Sequence, residues 1–512
     1  MTVVAIDALE LSVLAHAVAM IAEEMGAVLI RSALSPNIRE RRDASAALFD
    51  AAGRMIAQAA HIPVHLGAMP EAVAAVRARD PRPGDVFLLN DPYHGGSHLP
   101  DLTLVEAVAL DGQVGGYVAV RAHHADVGGM SPGSMPQGAT ELVQEGLVIP
   151  PVRLVRAGVL DEELLGLVLA NVRTPGERRG DLGAQLAACR AGAEGWVALA
   201  ARLGRPRLDA ACDALLDYAE RRVRARLAEL GECTGRARDC LEGDGVSDAE
   251  VAVEVALSVT ADGLVLDFTG SAPQVAGNVN CPAAVTRAAA VFAVRTLLDD
   301  DVPTNDGIAR AITLVLPAAS AVNAAWPAAV AAGNVEMSQR IADTILAALG
   351  DAGVEVAAQG QGTMNNVTFG GPGWTFYETL GGGQGAGAGG DGPSGVHVGM
   401  SNTLNTPIES LERATPLRVE RYALRDGSGG AGAHRGGDGV VRAYRTTVPC
   451  AVTLLTERRR HAPRGVHGGA PGEQGTNLLN GTVLPAKCRV ALRAGDVVTL
   501  ETPGGGGWGS TG

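Results

Sequence analysis

Glycine constrains this chain more than any other residue. It occurs 68 times in 512 residues, about twice the roughly 7% of average usage. It also gathers in runs, Gly381 to Gly390, Gly427 to Gly439 and Gly504 to Gly507. A residue without a Cβ is needed where the backbone turns tightly or passes very close to another group, so much of this backbone must do one or the other. With 46% hydrophobic and 19% charged residues the chain can fill a core and is not disordered by composition. Its length suggests about three domains. The expected division is 1–235, then a middle region 236–330, then a Gly-rich, β-containing region 331–512. Strands and helices mix without regular βαβ alternation, so the expected class is α+β, a mixed multi-layer, β-rich architecture with helical segments and Gly-rich loops.

Several function classes are excluded early. Forty-two Lys and Arg against 56 Asp and Glu give a net charge of −14, which argues against nucleic acid or an anionic membrane as the main partner. Lys487 is the only lysine. It lies in Pro485-Ala486-Lys487-Cys488, so the chain has no P-loop, and a Schiff-base lysine elsewhere is ruled out. Seven cysteines without a C-x-x-C pair point away from a disulfide scaffold or a thiolate zinc site and fit a reducing cytoplasm. Asp7 and Glu10 precede the first arginine, Arg31, and Glu23 and Glu24 interrupt the apolar stretch from Val13 to Ile30. Neither a signal peptide nor a membrane span is expected.

Leu11, Leu14, Val18, Ile21 and Met25 recur at helical spacing, which predicts a helix over 6–34 ended by Ser35-Pro36. Strands are expected in 43–66, 80–125 and 249–270, helices over 160–232, and a helix pair near 282–298 and 334–349.

The chemistry concentrates in one stretch. His94, His98, His123 and His124 fall within about thirty residues, interleaved with Asp91, Asp101 and Asp126. Residues 102–110 and 117–122 are strand-like and flank a turn-like Asp111-Gly112-Gln113. A hairpin centred near Gly112-Gln113 pairs position i with about 225 − i, so Leu102 faces His123. Opposed residues lie about 5 Å apart, so Asp101 and His123 meet at the open end with His98 in the loop beside them. Two imidazoles and a carboxylate suit Mn, Fe, Zn or Ni and leave open coordination positions. The plainer alternative is three loop side chains bonded to backbone. His124 alternates to the other face. Asp126 is placed to orient a ligand imidazole from behind, and Asp91 joins that supporting set with His124.

Other features have two readings each. The run Arg39, Glu40, Arg41, Arg42, Asp43 is either an anion site or a paired, solvated surface. His61 and His65 are either a second metal site or backbone-bonded structural histidines. The Gly runs either wrap a tunnel or phosphate, or turn at sheet corners. Cys281 has no evident base near it in sequence.

Ten ordered motifs carry a resemblance over nearly the whole chain. They include Ser35-Pro36-Asn37-Ile38-Arg39, His61-Ile62-Pro63-Val64-His65, Asn90-Asp91-Pro92-Tyr93 through His98-Leu99-Pro100-Asp101, and Gln144-Glu145-Gly146-Leu147. Gly180-Asp181-Leu182-Gly183, Asp267-Phe268-Thr269-Gly270, Gln361-Gly362-Thr363-Met364-Asn365-Asn366 and Tyr377-Glu378-Thr379 follow. Arg435-Gly436-Gly437-Asp438-Gly439 and Thr502-Pro503-Gly504-Gly505 complete the set. Together they resemble the hydantoinase B family: the B-type chains of N-methylhydantoinases, the corresponding half of 5-oxoprolinase, and the large subunits of acetone and acetophenone carboxylases.

The resemblance implies a hetero-oligomer with an A-type subunit of actin-like ATPase fold that binds ATP and Mg. It implies a divalent metal (Mn, Zn or Fe) held by two His and one Asp, which map onto His98, Asp101 and His123. It further implies a small cyclic-amide substrate activated by phosphorylation at the partner and hydrolysed here. Glu145 is then the candidate general base, with capping or an ion pair to Arg153 as its alternative role. A ketone carboxylase subunit and a non-catalytic scaffold for the ATPase subunit are the competing readings.

Overall fold

The computed structural model describes residues 6–511. The first helix, Ala8–Ser32, starts where Asp7 accepts a hydrogen bond from the Glu10 N–H, satisfying one of the free amides of the first turn. Leu14, Val18, Ala22, Met25 and Leu29 are buried, and this face packs on the helix Pro175–Leu203 and on the first sheet. Each fully buried aliphatic side chain of this kind contributes about 1.5–3 kcal/mol. By length and composition the helix would suffice to cross a bilayer, yet its buried stripe belongs to one of the two large apolar clusters of the fold. Beyond it, the Asp181 carboxylate accepts from the N–H groups of Leu34 and Ser35.

The first sheet contains β1 (Ala44–Phe49), β2 (Met55–Ala60), β3 (Val86–Leu89), β4 (Asp101–Leu110), β5 (Gln113–His123), β6 (Val152–Arg156) and β7 (Val159–Leu160). Its order is β2-β1-β5-β4-β3-β6-β7. The helices Ala8–Ser32 and Pro175–Leu203 cover one face. Met69–Arg77 covers part of the other, with Val73 and Val76 packed among Phe87, Leu89 and Ala119.

The second sheet, in order β11-β10-β9-β8, contains β8 (Cys233–Leu241), β9 (Val251–Thr260), β10 (Gly263–Asp267) and β11 (Ile312–Val315). β9 buries Val251, Val253, Val255, Leu257 and Val259 in strict alternation, the two-residue period of a strand with one face on a core. That face packs on the helices Ala283–Arg295 and Ser338–Asp351. Both helices match the expected pair, and the second is preceded by a widened turn at Gly333–Met337.

The remaining strands are β12 (Asn366–Gly371), β13 (Trp374–Glu378), β14 (Leu417–Arg425), β15 (Gly439–Thr446), β16 (Cys450–Leu455), β17 (Thr476–Leu479), β18 (Thr482–Leu484), β19 (Lys487–Leu492) and β20 (Val497–Glu501). They form two sheets, β13-β12-β16-β19 and β14-β15-β20-β17-β18, around a shared cluster that includes Phe369, Tyr444 and Leu500. The class is α+β, as expected.

The Gly runs mostly do not turn at sheet corners. They lie against one another, backbone on backbone. The N–H of Gly383 donates to Pro503 O, Gly437 to Gln384 O, Gly505 to Gly437 O, and Gly430 to Gly505 O. A Cβ on Gly505 would overlap the carbonyl oxygen of Gln384, and one on Gly383 that of Gly437. Close approach, not positive φ, is the reason for glycine here.

Candidate metal centre

The site grows from one hairpin. β4 and β5 are joined by Asp111-Gly112, both with positive φ (51° and 77°), the two-residue turn whose twist matches paired strands. A bulge between Val108 and Ala109 then shifts the register, and Asp101 pairs directly with His123. The expected pairing of Leu102 with His123 is thus off by one residue. The bulge and the position of the turn account for the shift, and it brings the carboxylate closer to the imidazole than expected. Pro100 follows His98-Leu99 and ends the loop that delivers His98.

Three donor atoms converge. Asp101 Oδ1 lies 3.2 Å from His98 Nε2 and 3.4 Å from His123 Nδ1, and the two ring nitrogens are 3.2 Å apart. All three residues are buried. A tetrahedral cation with bonds of about 2.1 Å separates its donors by about 3.4 Å, and an octahedral one by about 3.0 Å. Asp101 Oδ1 is buried and has no hydrogen-bond partner among the described residues. The donor set and its spacing therefore fit a divalent ion.

Each donor is oriented from behind. His98 Nδ1 is 3.2 Å from Ala331 O, which leaves the Nε2 lone pair free. Asp101 Oδ2 accepts from Ser97 Oγ at 2.5 Å and from Asn334 Nδ2 at 3.4 Å, with His65 Nε2 at 3.3 Å. The His123 ring stacks on Tyr377 with centroids 4.4 Å apart, and Asn37 Nδ2 donates to the His123 carbonyl. Burial would raise the Asp101 pKa, but His98 and His65 hold it well below the usual carboxylate range. Burial lowers His123, partly offset by Asp101. Burial would lower His98 too, but Asp101 raises it, so ligation, which requires an ionised carboxylate and neutral imidazoles, would release the His98 proton.

The other expected residues are not among the three donors. Glu145 is fully buried, and its carboxylate accepts from the N–H groups of Val330 and Ala331. Burial pushes its pKa up to about 8 against those hydrogen bonds. Arg153 pairs with Asp85 instead. His124 points to the other sheet face, where Nε2 lies 2.9 Å from Gln185 Oε1. Asp126 accepts from Gly128 N, Gly133 N and Arg173, so its carboxylate braces a loop and touches no ligand imidazole among the described residues. Asp91 Oδ2 pairs with His94 Nδ1 at 2.6 Å. Arg41 is buried against Asn37, Thr379 and Thr403 and lies over the Tyr377 ring, so it holds the supports of His123 and not a solvated surface. The sequence did not point to Asn334, and it gave no role to Tyr377, which stands in one of the ten motifs; both come from distant segments. It left His65 undecided, although His65 stands in one of the ten motifs.

Residues 7–511 match the family model described as hydantoinase B/oxoprolinase. The chain belongs to this family. It is 38% identical to 5-oxoprolinase 1 of Arabidopsis thaliana over 98% of its own length, but spans only 42% of that protein. It is 30% identical to the B component of a putative D-/L-hydantoinase from Pseudomonas sp., covering 99% of this chain and 90% of that one. In structure it is similar to the ATP-dependent caprolactamase of Pseudomonas jessenii, with a TM-score of 0.91, 27% identity, and coverage of 99% of this chain and 92% of the other.

Proposed function

We propose that this chain is the metal-bearing B-type component of an ATP-dependent cyclic-amide hydrolase acting on a hydantoin, an oxoproline or a related lactam. The observation that carries the reading is the His98–Asp101–His123 donor group, closed to 3.2–3.4 Å in a family member. In this reading an A-type, actin-like ATPase subunit holds ATP and Mg and phosphorylates the amide carbonyl oxygen, and the two chains form a cytoplasmic hetero-oligomer. Water then adds to the activated carbon, the C–N bond opens with a proton passing to nitrogen to leave an acyl phosphate, and a second water releases phosphate and the carboxylate.

His98, Asp101 and His123 would hold a divalent cation, which would supply Lewis acidity to water and to the group under attack. The chain's own residues do the rest. Ala331 O fixes the His98 tautomer, and His65, Ser97 and Asn334 hold the far oxygen of Asp101. Glu145 handles the proton. Its Oε1 is committed to Val330 and Ala331, its Oε2 is held only by Val330 at 3.2 Å, and burial, by pushing its pKa up to about 8, makes it a group that can give a proton and take it back near neutrality.

Coexpression with the A-type subunit tests the reading. ATP turnover should depend on a hydantoin, 5-oxoproline or lactam and be unchanged by bicarbonate, and His98→Ala should lose both metal and turnover. Bicarbonate-dependent turnover on a ketone would make the chain a carboxylase subunit. Full turnover in His98→Ala would leave it a scaffold.

A further inference from the structure

A second group of donors lies on the second sheet, apart from the hairpin site. Cys240, near the end of β8, Glu250, immediately before β9, and His461 each offer a ligand atom, and these atoms lie within 4.8 Å of one another. The first two residues are brought together by the β8–β9 pairing, in which Cys240 faces Ala252. His461 arrives from a loop more than two hundred residues later, so its placement needs its own cause. The Glu242 carboxylate supplies it. One oxygen accepts from the N–H groups of Arg460 and His461 and the other from that of Arg459. Three successive amides are thus clamped to a residue two positions beyond Cys240, and Glu242 is itself buried. Its own N–H is held by Glu457.

The three donors also line a cavity of about 470 Å³. Its other walls include Arg238, Arg460 and Arg464. Arg464 is engaged by Asp239, and Arg460 donates to the Asp248 carbonyl. A surface ion pair between His461 and Glu250, 2.7 Å apart, accounts for two of the groups. It accounts neither for the thiol beside them nor for a carboxylate clamp that fixes the loop backbone.

We propose that Cys240, Glu250 and His461 form a second metal site, suited to Zn²⁺, whose open coordination position faces the arginine-walled cavity and takes an anionic ligand. One thiolate, one carboxylate and one imidazole with a fourth position open is a zinc donor set, and thiolate sulfur selects Zn²⁺ over Mg²⁺ or Mn²⁺. The thiolate and carboxylate charges balance the cation, so the site is neutral before the anion arrives, and the guanidinium groups then favour a carboxylate or phosphate. Coordination replaces the Glu250–His461 hydrogen bond. The two donors must separate from 2.7 Å to roughly 3.3 Å, a movement open to side chains that are 51% and 44% exposed. The spacing of the cysteines argued against a thiolate zinc site because such sites are usually read from paired cysteines, whereas here a single cysteine is completed by a distant loop.

The test uses the full chain, stripped of metal with a chelator and titrated with Co²⁺. A Co²⁺–thiolate bond gives a near-ultraviolet charge-transfer band that a site of imidazole and carboxylate cannot give, so the readout is independent of the hairpin site. The expected result is a saturable band that Zn²⁺ displaces. The band should vanish in Cys240→Ser, persist in His98→Ala, and need at least tenfold more Co²⁺ in Glu250→Gln, an exposed position where folding is not at risk. No band in the wild type, or an unchanged band in Cys240→Ser, overturns the proposal.

Discussion

His65 Nε2 lies 3.3 Å from Asp101 Oδ2, across the carboxylate from the oxygen that faces His98 and His123. Its other ring nitrogen, Nδ1, is 2.9 Å from Ser45 Oγ on β1, so a buried Ser–His–Asp row fixes the plane of the Asp101 carboxylate. Groups that orient a ligand from behind typically account for about 10–100-fold in metal affinity. His65→Ala should therefore weaken metal binding by about that factor without removing any donor. His65→Gln, which can still donate to Oδ2, should recover part of the loss. Competition with a calibrated chelator measures both, and equal affinity in wild type and His65→Ala would remove His65 from the site.

Glu145 offers a cleaner separation of roles than most buried acids. Gln at this position keeps an oxygen for the Val330 and Ala331 amides, and Ala331 keeps its carbonyl on His98. What Gln cannot do is take up a proton. Glu145→Gln should retain its metal and its fold and lose about 100-fold or more in substrate-dependent turnover. Unchanged turnover would reduce Glu145 to a brace for the 330–331 segment.

The sequence showed the hairpin, its open end and three of the side chains there, because all of these are local. A turn-forming Asp111-Gly112 between two apolar runs and a proline after His98 suffice to bring them together. The register escaped by one residue because a bulge at Val108/Ala109 leaves no clear mark in composition. Asn334 and Tyr377 escaped for another reason: both lie in segments packed in a different core, more than two hundred residues along the chain. Arg41 stood in a run open to two readings, an anion site or a solvated surface, since nothing local indicates that Thr379 and Thr403 will close over it. The Gly runs announced close approach or turning and did not say which.

Glu336 gives the fold a pH dependence with a definite sign. Burial, then the charge of Glu457, pushes its carboxyl up to about 8 from 4.5. Between those values the folded state keeps a proton that the unfolded chain has lost, so stability falls as pH rises through this window and levels off above it. The slope reaches at most about 1.4 kcal/mol per pH unit for one group. Glu336→Gln keeps an acceptor for Thr363 Oγ1, Met364 N and Asn366 Nδ2 and has no proton to lose. Thermal unfolding at pH 6 and pH 8.5 should show a smaller drop in Tm for the variant than for the wild type. Parallel drops would place the titration elsewhere.

The glycine stack makes the sharpest prediction about the fold. A Cβ on Gly505 would overlap the Gln384 carbonyl oxygen and approach the Gly385 amide, both of them backbone atoms held in place by the neighbouring run. A flexible side chain could rotate away, but these groups cannot without breaking the Gly437–Gln384 and Gly505–Gly437 hydrogen bonds. Gly505→Ala should therefore cost about 3 kcal/mol, at the upper end of overpacking penalties. Gly389→Ala is the matched control. It lies in the same run of sequence as the stacked Gly383, and its Cβ would meet nothing within 4 Å, so its stability should stay within about 0.5 kcal/mol of wild type. Denaturant titration of the two variants decides whether these glycines serve contact or flexibility. If flexibility were the reason, both substitutions would stiffen the unfolded chain alike, and Gly505→Ala would be no worse than Gly389→Ala.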